Sequence, residues 1–401
     1  MSAAAFVGER SRRPARVLYV QYTNPGAYPP VDHSAELLAE AGFEVLVLGT
    51  RRADDPLELS SHPRVRVATL PHEPPGWRQK LHYARFAAWA LLWTLRWRPQ
   101  WVYASDPPSC PVALLAGGLP GVRVLYHEHD SPAVSDAGRV IARTVPDKVI
   151  MRARQALARR CELVVLPNEA RAATYARTTG RDRVLTVWNT PLRREVAAAA
   201  QPHTSSSRLR VLYHGSIVPA RLPLAVIDAI ATLPAGVTLD IAGYETIGHP
   251  GYTDALLARA RQLGIAERVR LHGALRRGDL MRLCATCDVG LALLPADSAD
   301  VNERAMVGAS NKPFDYMASG LALLVPALPE WLGTYVEPGF GLACDPASAG
   351  SLAAALRWCL EHSAERLAMG VRGRQKILGE WNYERCFAPV LDQVRTPAYA
   401  S

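Results

Sequence analysis

Within four positions of "VRVLYHEHDSP", residues 122–132, stand His127, Glu128, His129 and Asp130. Imidazoles titrate near neutral pH, so such a pair could act as a base or donate a hydrogen bond to an anionic or alcoholic substrate, and an HxH pair can also ligate a metal. A metal would need further ligands, and none follows this pair at a recognisable metal-site spacing. On an extended backbone His127 and His129 point to one side and Glu128 to the other. The preceding "VRVLY" is a buried-strand sequence and Ser-Pro ends it, so the cluster falls at a strand's C-terminal tip, where open α/β sheets bind ligands.

Two segments of the second half could hold an anion. In "YHGSIVPAR" a strand ends in Gly215-Ser216, where the backbone can approach a ligand closely, and Arg221 follows. In "GASNKPFDYMASG", Ser310, Asn311 and Lys312 precede or open a helix, with Pro313 in its first turn. Free amides and a lysine there suit a diphosphate, and Asp315, one turn further on, could accept from ribose hydroxyls. The loop "TNPGAYPPVDH" contains Gly26 but matches neither GxGxxG nor a P-loop, and no apolar strand ends in DxD. Dehydrogenase, NTPase and metal-bridged diphosphate chemistry thereby lose their usual signatures.

The elements that must position these groups alternate between strand and helix. "ARVLYVQY", a helix "SAELLAEAG" and "FEVLVLG" form one β-α-β unit, followed by strands at "VRVATL", "WVYAS", "VRVLYHEH", "LVVLPN" and "VLTVWN". The pattern repeats from "LRVLYHGS" through "VTLDIAG", "VRLHG", "DVGLALLP" and "LALLVP", with helices between. The expected class is α/β: two facing, Rossmann-like doubly wound domains, residues 1–195 and 209–375, joined by a small-residue and Pro-containing linker at 196–208 and closed by a helix in 376–401 that crosses back to the first domain. The cleft between them is the default ligand site.

Bulk properties narrow the class further. At 401 residues and 43.7 kDa the chain is large enough for two cores. Seven cysteines lack framework spacing, and the Cys284/Cys287 CxxC pair reads as buried core. No apolar run is long enough to span a bilayer, and residues 1–16 read as a cytoplasmic leader. Of the 46 basic residues 27 lie in 1–200, against 18 of the 37 acids, so the net charge of +9 arises in the first half, which suggests an anionic partner there. Residues 77–98 carry Trp89, Trp93 and Trp97 with Arg78, Lys80, Arg85, Arg96 and Arg98. Core packing is the favoured reading of that helix because it connects strands and lacks a clean polar face; peripheral contact with an anionic membrane is the alternative. Nucleic acid is not expected, since the aromatics cluster on one helix instead of along a basic groove.

"NKPFDYMASGLALLV" resembles the nucleotide-sugar motif of GT-B glycosyltransferases, especially the large retaining, group 1 or family 4-like set. "LYHEHD", "VWNTP" and "LYHGSIVPARLP" are similar to further segments of that group. The resemblance implies transfer of a sugar from a nucleoside diphosphate to a glycan, lipid-linked or small-molecule hydroxyl, with retention, without a metal or other cofactor. It implies that His129 contacts the transferred sugar, aided by His127 and Asp130, and that Gly215, Ser216, Arg221, Asn311 and Lys312 hold the diphosphate. Asp315, with Gly243, Tyr244 and His272, is assigned to the nucleoside, and Asn24, Gly26 and Asp106 to the acceptor loop. Val307 stands eight residues before Asp315 where the group has an acid, so Asn302, Glu303 or Ser310 is expected to serve the sugar hydroxyls instead. Arg221 is the nearest replacement for the group's phosphate-loop lysine. A non-catalytic sugar-nucleotide-binding partner, or an epimerase on the same fold, is the competing expectation.

Overall fold

The computed structural model describes residues 14–132, 144–196, 207–298 and 300–396. Seven strands form the first sheet: β1 Arg16–Gln21, β2 Glu44–Arg51, β3 Val65–Pro71, β4 Trp101–Ser105, β5 Arg123–His127, β6 Leu163–Leu166 and β7 Leu185–Thr186. Six form the second: β8 Leu209–Ile217, β9 Val237–Glu245, β10 Val269–Gly273, β11 Val289–Leu291, β12 Ala322–Pro326 and β13 Gly341–Cys344. Every pairing between described strands is parallel, in the orders β3-β2-β1-β4-β5-β6-β7 and β10-β9-β8-β11-β12-β13. The architecture is the α/β, two-sheet GT-B arrangement.

Continuous apolar strands require cover on both faces. Leu18, Val20, Val102 and Tyr126 pack under Phe86, Val112 and Leu157 on one face of the first sheet, while Val17, Tyr19, Tyr103 and Leu125 meet Val31 and Leu38 on the other. The last helix, Tyr383–Arg395, completes that second face with Tyr383, Phe387, Val390 and Val394. Tyr383 donates to the Pro30 carbonyl at 3.1 Å, and Trp101 donates to that of Val394 at 3.2 Å. The preceding helix, Ser363–Gly379, packs Ile377 into the second domain, so the chain crosses over after 379 instead of at 376.

Other differences from the sequence pattern have local causes. The first helix opens at Pro29, five residues earlier than its apolar periodicity suggests, because Pro29 and Pro30 fit a first turn that needs no amide donor. Strand β13 is short and only half-buried, and carries too little pattern to be seen. Cys284 and Cys287 are unbonded core residues. Residues 197–206, most of the expected linker, lie outside the described residues. The Trp77–Trp97 helix seats Phe86, Ala90, Thr94 and Trp97 on the sheet, with Trp89 and Trp93 partly covered, and leaves its opposite face in solvent.

Candidate active site

Each sheet reverses its strand order at one place, between β1 and β4 and between β8 and β11. Loops leaving neighbouring strands diverge there and open a crevice at the carboxyl ends. The two crevices face each other and enclose a cavity of about 310 Å³.

The first domain contributes Gly26, Ala27 and Tyr28 from the β1 loop, and His129 and Asp130 from the tip of β5. The pleat sorts the opening cluster as alternation demands. Glu128 turns away, takes both Arg154 forks at 2.6 and 2.9 Å and accepts from Tyr126 at 2.6 Å, a fully buried ion pair behind the strand. His127 and His129 lie together, ring centroids 4.0 Å apart, but only His129 reaches the cavity. His127 is fully buried and hydrogen-bonded to the Tyr103 hydroxyl through Nδ1. Its assignment to catalysis is therefore corrected: it packs behind His129 and cannot touch a substrate.

Asp106 and Asn24 are corrected in the same sense. Neither lines the cavity. Asp106, at φ 64°, accepts the His129 and Asp130 amides on one oxygen at 2.7 and 3.1 Å and so fixes the turn. Asn24 accepts from the Gly26 amide at 3.0 Å and donates to Asp55 and to the Leu57 carbonyl, holding the loop after β1 in place. Burial, then the neighbouring Asp130 charge, pushes the Asp106 carboxyl up to about 8, so it is protonated through neutral pH. Burial, followed by the adjacent Arg171 cation, pushes His129 down to about 3. His129 is thus a neutral imidazole, and neither ring nitrogen has a protein partner among the described residues. An unpaired buried donor and acceptor facing a cavity is costly unless a ligand completes it.

The second domain contributes the β8 tip and the N-terminus of the helix Asn311–Ala318. Gly215 has φ 108°, and a Cβ there would lie 3.0 Å from Lys312 Nζ. Gly243, on adjoining β9, is equally constrained: its Cβ would lie 1.8 Å from the Gly215 carbonyl oxygen. Arg221 donates to Ser216 Oγ at 2.8 Å, while its Nε, like Asn311 Nδ2 and Asn189 Oδ1, is buried without a partner among the described residues. Burial, then Arg221, pushes the Lys312 ammonium down to about 7, against the opposing pull of Asp315. Two cations with unfilled hydrogen bonds beside a helix N-terminus make an anion site.

Asp315 borders this site with its carboxylate clamped by both Arg277 forks at 2.7 Å. Arg277 also holds Glu195, at 2.8 and 3.2 Å, and Glu195 lies 3.0 Å from His33 Nε2. Burial alone would lower the guanidinium, but Asp315 and Glu195 hold it well above its ordinary value. Glu195 is conversely held well below the usual carboxylate range: burial opposes this, and Arg277 and His33 outweigh it. This chain of charges ties His33 and Glu195 to Arg277 and Asp315 at the border of the cleft.

Tyr244, Gly243 and Ser310 line the cavity, but His272 does not: its Nε2 pairs with Asp240 at 2.7 Å, which corrects its assignment to the nucleoside. Asn302 reaches the wall, accepting from the Ser131 amide at 3.0 Å and donating to the Ser131 carbonyl at 2.9 Å as an interdomain clasp, with one amide hydrogen and one lone pair left over. Glu303 turns to Ser298 and is outside the cavity. Val307 is buried in the second core, where an ionised acid would be costly, and its carbonyl accepts from Asn168 at 2.6 Å.

Among the cavity residues that the sequence did not single out are Tyr28, Arg171, Asn189, His214 and Arg277. Arg171 links the domains through the carbonyls of His129, Asn302 and Ala305 at 2.7, 3.0 and 3.0 Å. Asn189 binds the Ala309 carbonyl at 2.6 Å. The signal for Arg171 was its place on the first turn of a helix directly after a buried strand, with Asn168 as cap. Among the described residues no group of three or more His, Cys, Asp or Glu could hold a metal ion.

Two facing doubly wound domains with a basic, amide-lined second half define the class as a GT-B enzyme. The first domain matches the "Glycosyl transferase 4-like domain" model over residues 26–190, and the second the "Glycosyl transferase-like" model over 224–392. The chain belongs to the group 1 glycosyltransferases. In architecture it is similar to sucrose-phosphate synthase from Thermosynechococcus elongatus, at TM-score 0.73, 16% identity and coverage of 96% of this chain and 98% of that one. It is also similar to HepE of Anabaena in complex with UDP and glucose (TM-score 0.69, 16%, 95% and 99%) and to WaaG, a glycosyltransferase involved in lipopolysaccharide biosynthesis (0.66, 16%, 95% and 100%). No curated protein matches it in sequence.

Proposed function

We propose that the chain transfers a glycosyl group from a nucleoside diphosphate sugar to an acceptor hydroxyl, in the cytoplasm, with retention of anomeric configuration and without a metal. The observation that supports this most is the pairing across one cavity of a neutral, unpartnered His129 with the Gly215–Ser216, Arg221 and Lys312 anion site. In this proposal the diphosphate lies against the amides of the 311–318 helix, with Arg221 and Lys312 as counter-charges. The nucleoside lies towards Tyr244 and Asp315, whose oxygens retain acceptor capacity beyond the two Arg277 bonds. His129 donates or accepts at a hydroxyl of the sugar. The acceptor oxygen forms its bond to the anomeric carbon as the carbon–oxygen bond to the β-phosphate breaks on the same face, and the acceptor's proton passes to the departing phosphate oxygen. The preformed cations and amides stabilise the leaving charge, the role a divalent ion would otherwise fill. HepE carries UDP and glucose in its crystal structure, which makes uridine nucleotides the first donors to try. The seven free cysteines suit a reducing compartment.

The test is release of nucleoside diphosphate from a panel of UDP-, GDP-, dTDP- and ADP-sugars in excess EDTA, with early-time NMR of the anomeric proton. The expected result is turnover of one nucleotide family in EDTA with the donor's configuration, reduced at least ~100-fold in His129→Ala. Activity restored only by added divalent ion, or an inverted product, would overturn the corresponding part of the proposal.

A further inference from the structure

The outer face of the Trp77–Trp97 helix serves nothing described so far. Phe86, Ala90, Thr94 and Trp97 fix which side meets the sheet. On the opposite side Trp77, Leu81, Ala84, Ala88, Leu92 and Leu95 are all exposed, Trp77 by 68% and Leu92 by 60%. Their spacing of four, three, four, four and three makes one stripe along a helix about 30 Å long. Arg78, Arg85 and Arg96 border it on one side and Lys80 on the other, all exposed, and no acid occurs between Glu73 and Asp106. Core packing thus accounts for half the helix and leaves an apolar strip with three arginines along one border and Lys80 on the other.

The neighbouring helices extend the strip. Cys110–Ala116 packs between Trp77–Trp97 and Val145–Arg160 on the same sheet face. It exposes Leu115, and the third helix exposes Val145, Lys148, Val149 and Arg152, again at helical spacing. Tyr22, just past the end of β1, donates to the Gln79 carbonyl at 3.3 Å, so the Trp77 end of the stripe adjoins the strand ends that open on the cleft.

We propose that this three-helix face docks on an anionic phospholipid bilayer and lies in its interface. The inference is independent of the donor chemistry proposed above. A folded protein partner would need only shape and apolar contact, whereas this face adds cations on both borders, a tryptophan at one end and no carboxylate along the whole Trp77–Trp97 helix, which is the charge complement of an anionic headgroup layer. Among the described residues no helix is long and apolar enough to cross a membrane, so the contact is peripheral.

The test is co-sedimentation of the full chain with phosphatidylcholine vesicles carrying zero to 40% phosphatidylglycerol, at low and high salt, alongside its mass in solution. Leu92→Glu/Leu95→Glu and Arg85→Glu/Arg96→Glu alter only exposed side chains, and Ile247→Glu, at 79% exposure on the other domain, is the control. The expected result is partitioning that rises with anionic lipid, falls at high salt, and drops roughly tenfold or more in both helix variants but not in the control. No partitioning at any lipid content, partitioning unaltered in the helix variants, or a dimer in solution that Leu92→Glu/Leu95→Glu dissociates without a change in vesicle binding would each overturn the proposal.

Discussion

Lys312 offers the most quantitative check on the anion site. Burial and Arg221 bring its ammonium from an ordinary 10.5 to about 7, so near pH 8 most of it is neutral while the cleft is empty. A diphosphate favours the charged form, so binding must draw a proton from solvent. Full return to 10.5 would correspond to about 5 kcal/mol, at ~1.4 kcal/mol for each tenfold change in proton affinity. Solvent in the half-open cleft screens part of that, and recovery of half would still tighten the donor by roughly 2.4 kcal/mol, or about 50-fold. The sign is fixed by linkage: affinity is flat below about pH 7, where the free lysine is already charged, and weakens as pH rises above it. Calorimetry with an intact sugar nucleotide, whose phosphates do not titrate in this range, should show uptake approaching one proton at pH 8 in two buffers of different ionisation enthalpy. Lys312→Gln should bind more weakly at pH 6.5 and take up none. Uptake equal in Lys312→Gln and the parent, or pH-independent affinity from 6.5 to 9, would refute the placement of the diphosphate beside this lysine.

Other consequences can be checked together. Arg171→Ala leaves two carbonyls across the domain boundary, of Asn302 and Ala305, and that of His129 within the first domain without their donor and should lower unfolding stability by about 2–4 kcal/mol in urea titration, with reduced cooperativity between the domains. Asp106→Asn keeps an acceptor for the His129 and Asp130 amides. Because the native carboxyl titrates near 8 and an unfolded aspartate near 4, the parent gains stability as pH falls from 8 towards 4; the Asn variant should lack that gain in thermal melts from pH 5 to 9. Gly243→Val should abolish donor binding by driving the Gly215 turn out of place, seen as loss of ligand-induced thermal shift in a protein that still folds.

What could be read from sequence followed the range of the interactions involved. The strands were legible because β1, β4 and β12 are unbroken apolar runs, a signature that each segment carries alone. His129, Gly215 and Lys312 were legible for a similar reason, since a strand end or helix start marks where the parallel sheet opens. Depth was not: His127 and His129 share a side by alternation, but β5 ends at His127, so one ring stays under the sheet edge while the other reaches the cleft. His272 and Glu303 sat at equally plausible tips and were claimed by Asp240 and Ser298 through folding. Arg277 and Arg171 gain their roles from partners 38 to 134 residues away, and no local pattern announces such pairing. The Trp77–Trp97 helix shows the same limit from outside: its apolar residues were visible, but which of them the sheet would cover depended on the packing that buries Phe86, Ala90 and Trp97.

The most direct measurement on the central claim is equilibrium binding of the nucleotide-sugar panel in EDTA to the parent chain, Arg221→Ala, Lys312→Ala and His129→Ala. The predicted result is metal-free binding of one nucleotide family, weakened roughly tenfold or more in Arg221→Ala and Lys312→Ala, with nucleoside diphosphate affinity nearly unaltered in His129→Ala, whose turnover is lost. Binding to none of them, or binding equally tight in Arg221→Ala and Lys312→Ala, would contradict it.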